Sequence, residues 1–391
     1  MEIPFHSLKR VGAVAVAAAC VVLTAGCSGG VAGGGTGSTG DTLKFGMLAP
    51  FSGSESAYGD YMKNGATLAV DEINTAGGVN GKKIELIAED EACDATTAVA
   101  GANKLVSQGV VASVGGYCSG ATLPTLPIFL QAKVPMVIAA ANSDDLVNAK
   151  QPNVFLVNGT GTQQAQAAVK FAKKSAAKSI YVIDEGDAYS TNLAKAFTAQ
   201  AKEAGLTVSG TTTVTPTDKD FSTDVDKMIK AGSDFVYYTG YYQAGSLVNH
   251  QAKAAGYKGI FLIGDGAVNA EFSKITGKDF TKNVYGTFTT TPDMLDDGGK
   301  WTAAYKAKFG SDPGTYALQS YNAVKVMAEA IKQAGSTDMD KVDSALHSLK
   351  DFSTASGPIS FTEQGTLTNG SFVIVTIGPD GSFVLSDNLK G

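Results

Sequence analysis

Two short segments hold the residues best suited to grip a small charged molecule. Asp90-Glu91-Ala92-Cys93-Asp94 and Gly115-Gly116-Tyr117-Cys118-Ser119-Gly120-Ala121-Thr122 each follow a run that reads as a strand and open one that reads as a helix. If those strands are neighbours, both cysteines lie at one sheet edge, where a disulfide would pin the two loops. Ser119 is then expected to be a helix N-cap, with the first backbone N–H groups of its helix facing a crevice. That arrangement can hold a carboxylate. The alternative is a structural disulfide beside a capped helix that binds nothing. Arginine usage bears on the choice, because Arg10 is the only arginine in the sequence. Any anion held further along must rely on backbone N–H groups, hydroxyls, helix N-termini or lysine instead of a guanidinium fork.

Cys27 belongs to a different chemistry. It follows a basic start (Lys9, Arg10), an apolar run from Val11 to Leu23, and Thr24-Ala25-Gly26. The run falls short of the ~20 apolar residues needed to span a bilayer, so residues 1–26 read as a signal peptide. Small residues directly before a cysteine resemble a bacterial lipobox, which makes Cys27 the expected site of acylation. An ordinary secretory signal is the alternative, and either places the folded part outside the cytoplasm. Residues 27–40, nearly all Gly, Ser, Thr and Ala, read as a flexible tether rather than a phosphate-binding loop, since no strand precedes them. With Cys20 in the leader and Cys27 lipidated, Cys93 and Cys118 remain, and in an oxidising compartment they should pair.

Other chemistries find little support. The mature chain keeps only His250 and His347, distant in sequence and set among polar neighbours, so neither an acid–base pair nor a metal site is expected. Asp90, Glu91 and Asp94 lack calcium-loop spacing. Asn158-Gly159-Thr160 matches a glycosylation pattern that carries little meaning in a bacterial-type chain. With a net charge of −6 and no basic block, nucleic acid is not an expected partner. No cofactor and no enzymatic constellation are read.

These residues need elements to position them. The 391 residues are 44% hydrophobic and 17% charged, the composition of a globular chain with room for two domains. From Leu43, short apolar runs alternate with helical periodicity, giving strands expected at Leu43–Ala49, Lys83–Glu89, Val110–Gly115, Pro135–Ala139, Val154–Val157, Ser179–Ile183, Thr207–Val214, Asp234–Thr239, Ile260–Ile263 and Val284–Thr290. Strand–helix alternation implies right-handed crossovers and mainly parallel sheets. Ten strands suit two doubly wound α/β lobes, each with its crevice at the carboxyl ends of its strands. Two helical stretches, Thr315–Ala334 and Met339–Ser348, then precede short strands expected at Ile359–Phe361, Phe372–Ile377 and Phe383–Leu385.

Tyr58-Gly59-Asp60, Ala92-Cys93-Asp94, Cys118-Ser119, Asp220-Phe221-Ser222 and Asp234-Phe235-Val236-Tyr237-Tyr238 together resemble the leucine/isoleucine/valine-binding proteins, receptors of ABC importers. The resemblance runs from about Leu43 to Val384. It implies a type I periplasmic binding fold, with three crossings expected near Val157–Gly161, Gly286–Pro292 and Ser356–Ser360. One lobe would hold residues 41–158 and 290–357, the other 159–289 and 358–391. It also implies an amino acid between the lobes, a permease as partner and a monomeric receptor anchored by its lipid. By the same resemblance Ser119 would hold the ligand's α-carboxylate and Ala140 would offer its carbonyl to the α-ammonium. Asn142 stands where the family usually has Thr, and Asp265 where it has the Glu that pairs with the ammonium. Tyr189 and Tyr241 match tyrosines that reach the ligand from the second lobe, while Tyr58 and Tyr117 would lie beside its side chain, with Tyr316 a further candidate. Asp for Glu shortens the carboxylate's reach by one methylene, Asn for Thr adds an amide and a tyrosine stands at 117, and together these make the pocket more polar. A receptor for urea, short amides or aliphatic acids is therefore a second reading, and a sensor acting through a partner protein a third.

Overall fold

The computed structural model describes residues 42–295, 298–387 and 389; Cys27, the leader and the tether lie outside them. Two sheets organise the chain. The first contains β1 (Leu43–Ala49), β2 (Ile84–Asp90), β3 (Ala112–Ser113), β4 (Met136–Ile138) and β5 (Val154–Leu156), in the order β2-β1-β3-β4-β5 and wholly parallel. The second contains β6 (Ile180–Asp184), β7 (Val208–Thr213), β8 (Phe235–Tyr238), β9 (Ile260–Ile263) and β10 (Val284–Phe288). A hairpin, β11 (Phe352–Thr354) with β12 (Gly357–Ile359), forms a small separate sheet. β13 (Val373–Ile377) and β14 (Phe383–Asp387) then complete the second sheet in the order β14-β13-β10-β9-β8-β6-β7, with β13 and β14 antiparallel to their neighbours.

The burial of each strand follows from this order. β8, with both faces covered, is Phe-Val-Tyr-Tyr and fully buried, as expected of a central parallel strand. β7 lies at an edge and alternates half-buried with exposed residues. Helices cover both faces: Gly59–Thr75 packs against Ala317–Ala334 beside the first sheet, and Gly161–Lys174 against Ala188–Glu203 beside the second.

Strand order also locates the crevices. In the first sheet the order turns back between β1 and β3, and in the second between β6 and β8, so the loops leaving these strands diverge at the carboxyl edges. The chain leaves the first sheet after β5, where Thr160 caps the next helix in a reciprocal bond with Gln163. It leaves the second sheet after β10 and returns to it at β13. This last passage comes later than the expected Ser356–Ser360. Gly365 still accepts the N–H of Leu156 at 2.9 Å, and Phe361 packs on Phe155, so the chain stays beside β5 that far. Two strand expectations also shift. Val110–Gly115 yields only a two-residue ladder, and the strand expected at Ile359–Phe361 is the second arm of a hairpin whose first arm was not anticipated. No helix among the described residues is long and apolar enough to cross a membrane.

Candidate ligand-binding site

The loops leaving the strands carry the site. β1 leads to Tyr58, β3 to Tyr117 and Ser119, and β4 to Ala140 and Asn142; on the other sheet β6 leads to Glu185 and Tyr189, β8 to Tyr241 and β9 to Asp265. Tyr117, Ala140, Asn142, Tyr189, Tyr241, Asp265, Gly266 and Tyr316 enclose a cavity of about 10 Å³, room for roughly one water molecule. Ser119 and Tyr58 stand just behind this wall.

Asp265 is the electrostatic centre. It is 1% exposed, and its carboxylate is met by neutral donors only: the Tyr189 hydroxyl at 2.7 Å, Asn142 Nδ2 at 3.1 Å, Asn158 Nδ2 at 3.3 Å and the Tyr316 hydroxyl. Burial pushes its pKa up and these donors pull it back. A buried carboxylate held this way is poised to receive a cation. Asn142 and Asn158 come from the first sheet's side and Asp265 from the second, so the carboxylate also ties the two sheets together.

Ser119 departs from its expected role. Cys118, not Ser119, occupies the N-cap, and the short helix starts at Ser119 itself. The hydroxyl of Ser119 instead accepts the backbone N–H groups of Asn142 and Ser143 at 3.3 and 3.2 Å, which fixes the Ala140–Asn142 loop. The reason is proximity: β3 and β4 are adjacent, so the loop after β4 supplies those donors. The carbonyl of Ala140 accepts Asn158 Nδ2 at 2.8 Å.

The cysteines do pair. Cys93 and Cys118 form a disulfide with Cα atoms 5.2 Å apart. It ties the loops after β2 and β3, as their adjacency to β1 allows. The Glu91 carboxylate accepts the N–H groups of Cys118 at 2.8 Å and Tyr117 at 3.2 Å, and burial raises its pKa to about 7 in spite of them.

Tyrosines form the rest of the wall. Tyr58 and Tyr117 stack at 4.5 Å and both donate to the carbonyl of Gly266, at 3.0 and 3.4 Å. Tyr189 and Tyr241 lie 5.2 Å apart, and the Tyr241 N–H donates to Glu185 at 2.9 Å. Gly240 makes room there, because a Cβ would push the Glu185 carboxyl out of place. Burial holds all these phenols well above their ordinary pKa, so they act as neutral donors.

Several site residues carried no usable signal in the sequence. Asn158 sat in a glycosylation-like triplet, yet it is buried and bridges Ala140 to Asp265. Gln164 accepts from Asn142 at 3.0 Å and donates to Thr287 at 2.8 Å, continuing the network into β10. Nothing in the spacing of a lone glutamine announces that role. The remaining histidines are structural in their contacts: His250 Nδ1 lies 2.9 Å from the Thr276 carbonyl, and His347 packs on Phe155.

With two α/β sheets facing one buried carboxylate, comparison with known families becomes decisive. Residues 42–382 match the family model described as periplasmic binding protein. The chain belongs to the periplasmic binding protein family. It is 35% identical over 338 residues to the leucine-, isoleucine-, valine-, threonine- and alanine-binding protein of Pseudomonas aeruginosa, covering 85% of this chain and 89% of that one. It is likewise 35% identical over 336 residues to Leu/Ile/Val-binding protein homolog 3 of Brucella melitensis, covering 85% and 90%. Among solved structures, the leucine-binding protein LivK of Thermotoga maritima superposes with a TM-score of 0.82 at 28% identity, covering 88% of this chain and 98% of that one. LivJ of Streptococcus pneumoniae, solved with isoleucine, gives 0.78 at 28%, covering 88% and 100%. The resemblance drawn from the tyrosine, cysteine and aspartate motifs therefore holds, as does the type I fold. This periplasmic binding protein belongs with solute receptors, not with an enzyme family.

Proposed function

We propose that this periplasmic binding protein is the extracytoplasmic receptor of an ABC importer and that it captures a small amino acid, branched-chain type, between two closing lobes. The observation that carries this reading is Asp265, a buried carboxylate surrounded by neutral donors from both sheets and short of a cation. An α-ammonium supplies that cation, and the relatives named for branched-chain ligands point to the same class.

In this reading Asp265, with the Ala140 carbonyl, receives the ammonium. The backbone around Ser119 faces the carboxylate, Asn142 orients Asp265, Tyr189 and Tyr241 close from the second lobe, and Tyr58 and Tyr117 flank the side chain. One lobe comprises residues 41–158 with most of 290–367, the other 159–289 with the β13–β14 tail. The receptor acts as a monomer, is tethered by lipid on Cys27 and delivers its cargo to a permease. The ligand favours the closed form through contacts to both lobes at once, so differential affinity drives the motion.

The test is a thermal-shift and calorimetry panel on the chain from Ser28 onward, unfolded and refolded to strip carried-over ligand. Saturation at 100-fold over Kd adds ~2.7 kcal/mol of stability. A raised midpoint with leucine, isoleucine, valine or alanine supports the reading. A second reading, a receptor for urea or short amides, is favoured by the small cavity walled by hydroxyls and amides. It gains if only those compounds raise the midpoint.

A further inference from the structure

The cavity beside Asp265 is too small for an amino-acid side chain, yet a larger one lies directly behind Tyr316. That second cavity measures about 330 Å³, within the range of small-molecule sites, and Tyr316 lines both. Its wall is mostly apolar, formed by Tyr61, Val268, Phe288, Trp301, Leu318 and Phe383. Three polar groups on that wall are engaged within the protein, while Trp301 Nε1 is buried without a hydrogen-bond partner among the described residues. The Thr315 hydroxyl donates to the Val268 carbonyl at 2.9 Å, Gln319 Nε2 to the Thr290 carbonyl at 2.9 Å, and Asp312 pairs with Lys306 at 3.0 Å. The apolar share of the wall, which is the larger, is suited to hydrocarbon.

Tyr316 is the partition between them. Its ring packs between Phe288 at 5.3 Å on one side and Tyr117 at 5.7 Å on the other, while its hydroxyl faces Asp265. Its backbone is in the left-handed region, φ +64°, which a bulky residue adopts only under constraint. It also stands immediately before the helix Ala317–Ala334, with no side-chain cap to anchor it. A swing of this one ring joins the polar cavity to the apolar one.

We infer that Tyr316 is a specificity gate, and that the apolar cavity beyond it receives the ligand's side chain, admitting large apolar and aromatic amino acids such as phenylalanine. This rests on the amino-acid reading of the Asp265 site: the charged head stays with Asp265 and Asn142, and the side chain passes the gate. The chain's single tryptophan, Trp301, lines the cavity and reports its occupancy directly.

The experiment titrates the refolded protein with alanine, leucine and phenylalanine, reading heat of binding and Trp301 emission together. Phenylalanine is expected to bind and to change Trp301 emission at saturation at least twice as much as alanine does, because only its ring reaches the indole. One variant, Ala270→Phe, fills the cavity from its exposed mouth. It should weaken phenylalanine at least tenfold while leaving alanine within twofold, and the retained alanine binding certifies its fold. If alanine or leucine binds but phenylalanine does not, the gate is overturned and the receptor reading stands. Equal emission changes with saturating alanine and phenylalanine overturn it as well, on the unmodified protein alone. Silence with all three removes the amino-acid reading, and the gate with it.

Discussion

Asp265 and Glu185 are both buried carboxylates in the cleft, but their surroundings differ. Asp265 is surrounded by donors oriented toward a charge, whereas Glu185 accepts only the Tyr238 hydroxyl and the Tyr241 N–H, and burial lifts its pKa to about 8. Asp265→Asn should therefore lower amino-acid affinity about 100-fold or more, the loss of a desolvated charge pair of roughly 3 kcal/mol. The same substitution should leave the ligand-free unfolding midpoint at pH 7 unchanged or raised, since it removes a buried charge; a lowered midpoint with intact affinity would make Asp265 purely structural. Glu185 predicts a pH effect instead. Its unfolded-state pKa is ~4.3, so folding takes up a proton between there and about 8. The stability this group contributes is complete below pH ~4.3 and is lost as pH rises through about 8. Glu55, facing it from the loop after β1, is pushed in the same direction by burial and by Glu185 itself. Glu185→Gln keeps the acceptor oxygen and removes the charge. It should raise the unfolding free energy by up to roughly 5 kcal/mol at pH 8.5 and by nothing measurable at pH 4. Chemical denaturation at the two pH values measures this, and an equal shift at both would exclude ionisation as the cause.

Among the elements, the loop pair tied by Cys93–Cys118 has most control over the site, because Tyr117 and Ser119 flank the second cysteine. The bond spans 25 residues, so replacing both cysteines by serine should cost about 3 kcal/mol of stability through chain entropy. Denaturant midpoints of the double variant and of the reduced wild-type protein should agree; a variant as stable as the oxidised protein would show that the Glu91 hydrogen bonds alone hold the loops. This pairing was readable in advance, since two cysteines after parallel strands that end at one sheet edge can meet; the strands prove to flank β1 rather than to be neighbours. So were the buried strands, whose apolar runs have one interpretation once helices separate them. Asn158 and Gln164 were not readable, because a buried polar residue in a loop or on a helix looks like a solvated one until its partners are known. The β11–β12 hairpin was missed for a related reason: Phe352–Thr354 is three residues of partial burial, too short for any alternation to show. Ser119 shows the reverse error, a residue of N-cap type whose hydroxyl is taken by the neighbouring loop.

Over the whole molecule, ligand binding and closure are one equilibrium, and the contacts that join the two sheets away from Asp265 set its position. Tyr242, at the start of the helix after β8, donates its hydroxyl to the Ser54 carbonyl in the loop after β1 at 2.8 Å, and Gln243 Nε2 reaches the same carbonyl at 3.3 Å. Tyr58 crosses in the other direction to Gly266. Tyr242 is absent from the wall of the cavity at Asp265, so Tyr242→Phe deletes a cross-sheet bond without touching that space. A bond of this kind is worth about 1 kcal/mol net, and apparent affinity scales with the fraction of molecules in the closed form. If closure is unfavourable without ligand, the substitution should weaken every ligand by the same factor, roughly fivefold, whatever its side chain. Calorimetry with leucine and alanine reads the factor, and small-angle scattering reads the closed fraction at saturation, which the variant should still reach. A loss confined to one ligand would place Tyr242 in the binding pocket instead. No loss at all would mean that the closed form is already dominant before ligand arrives, so that affinity is set by the contacts around Asp265 alone.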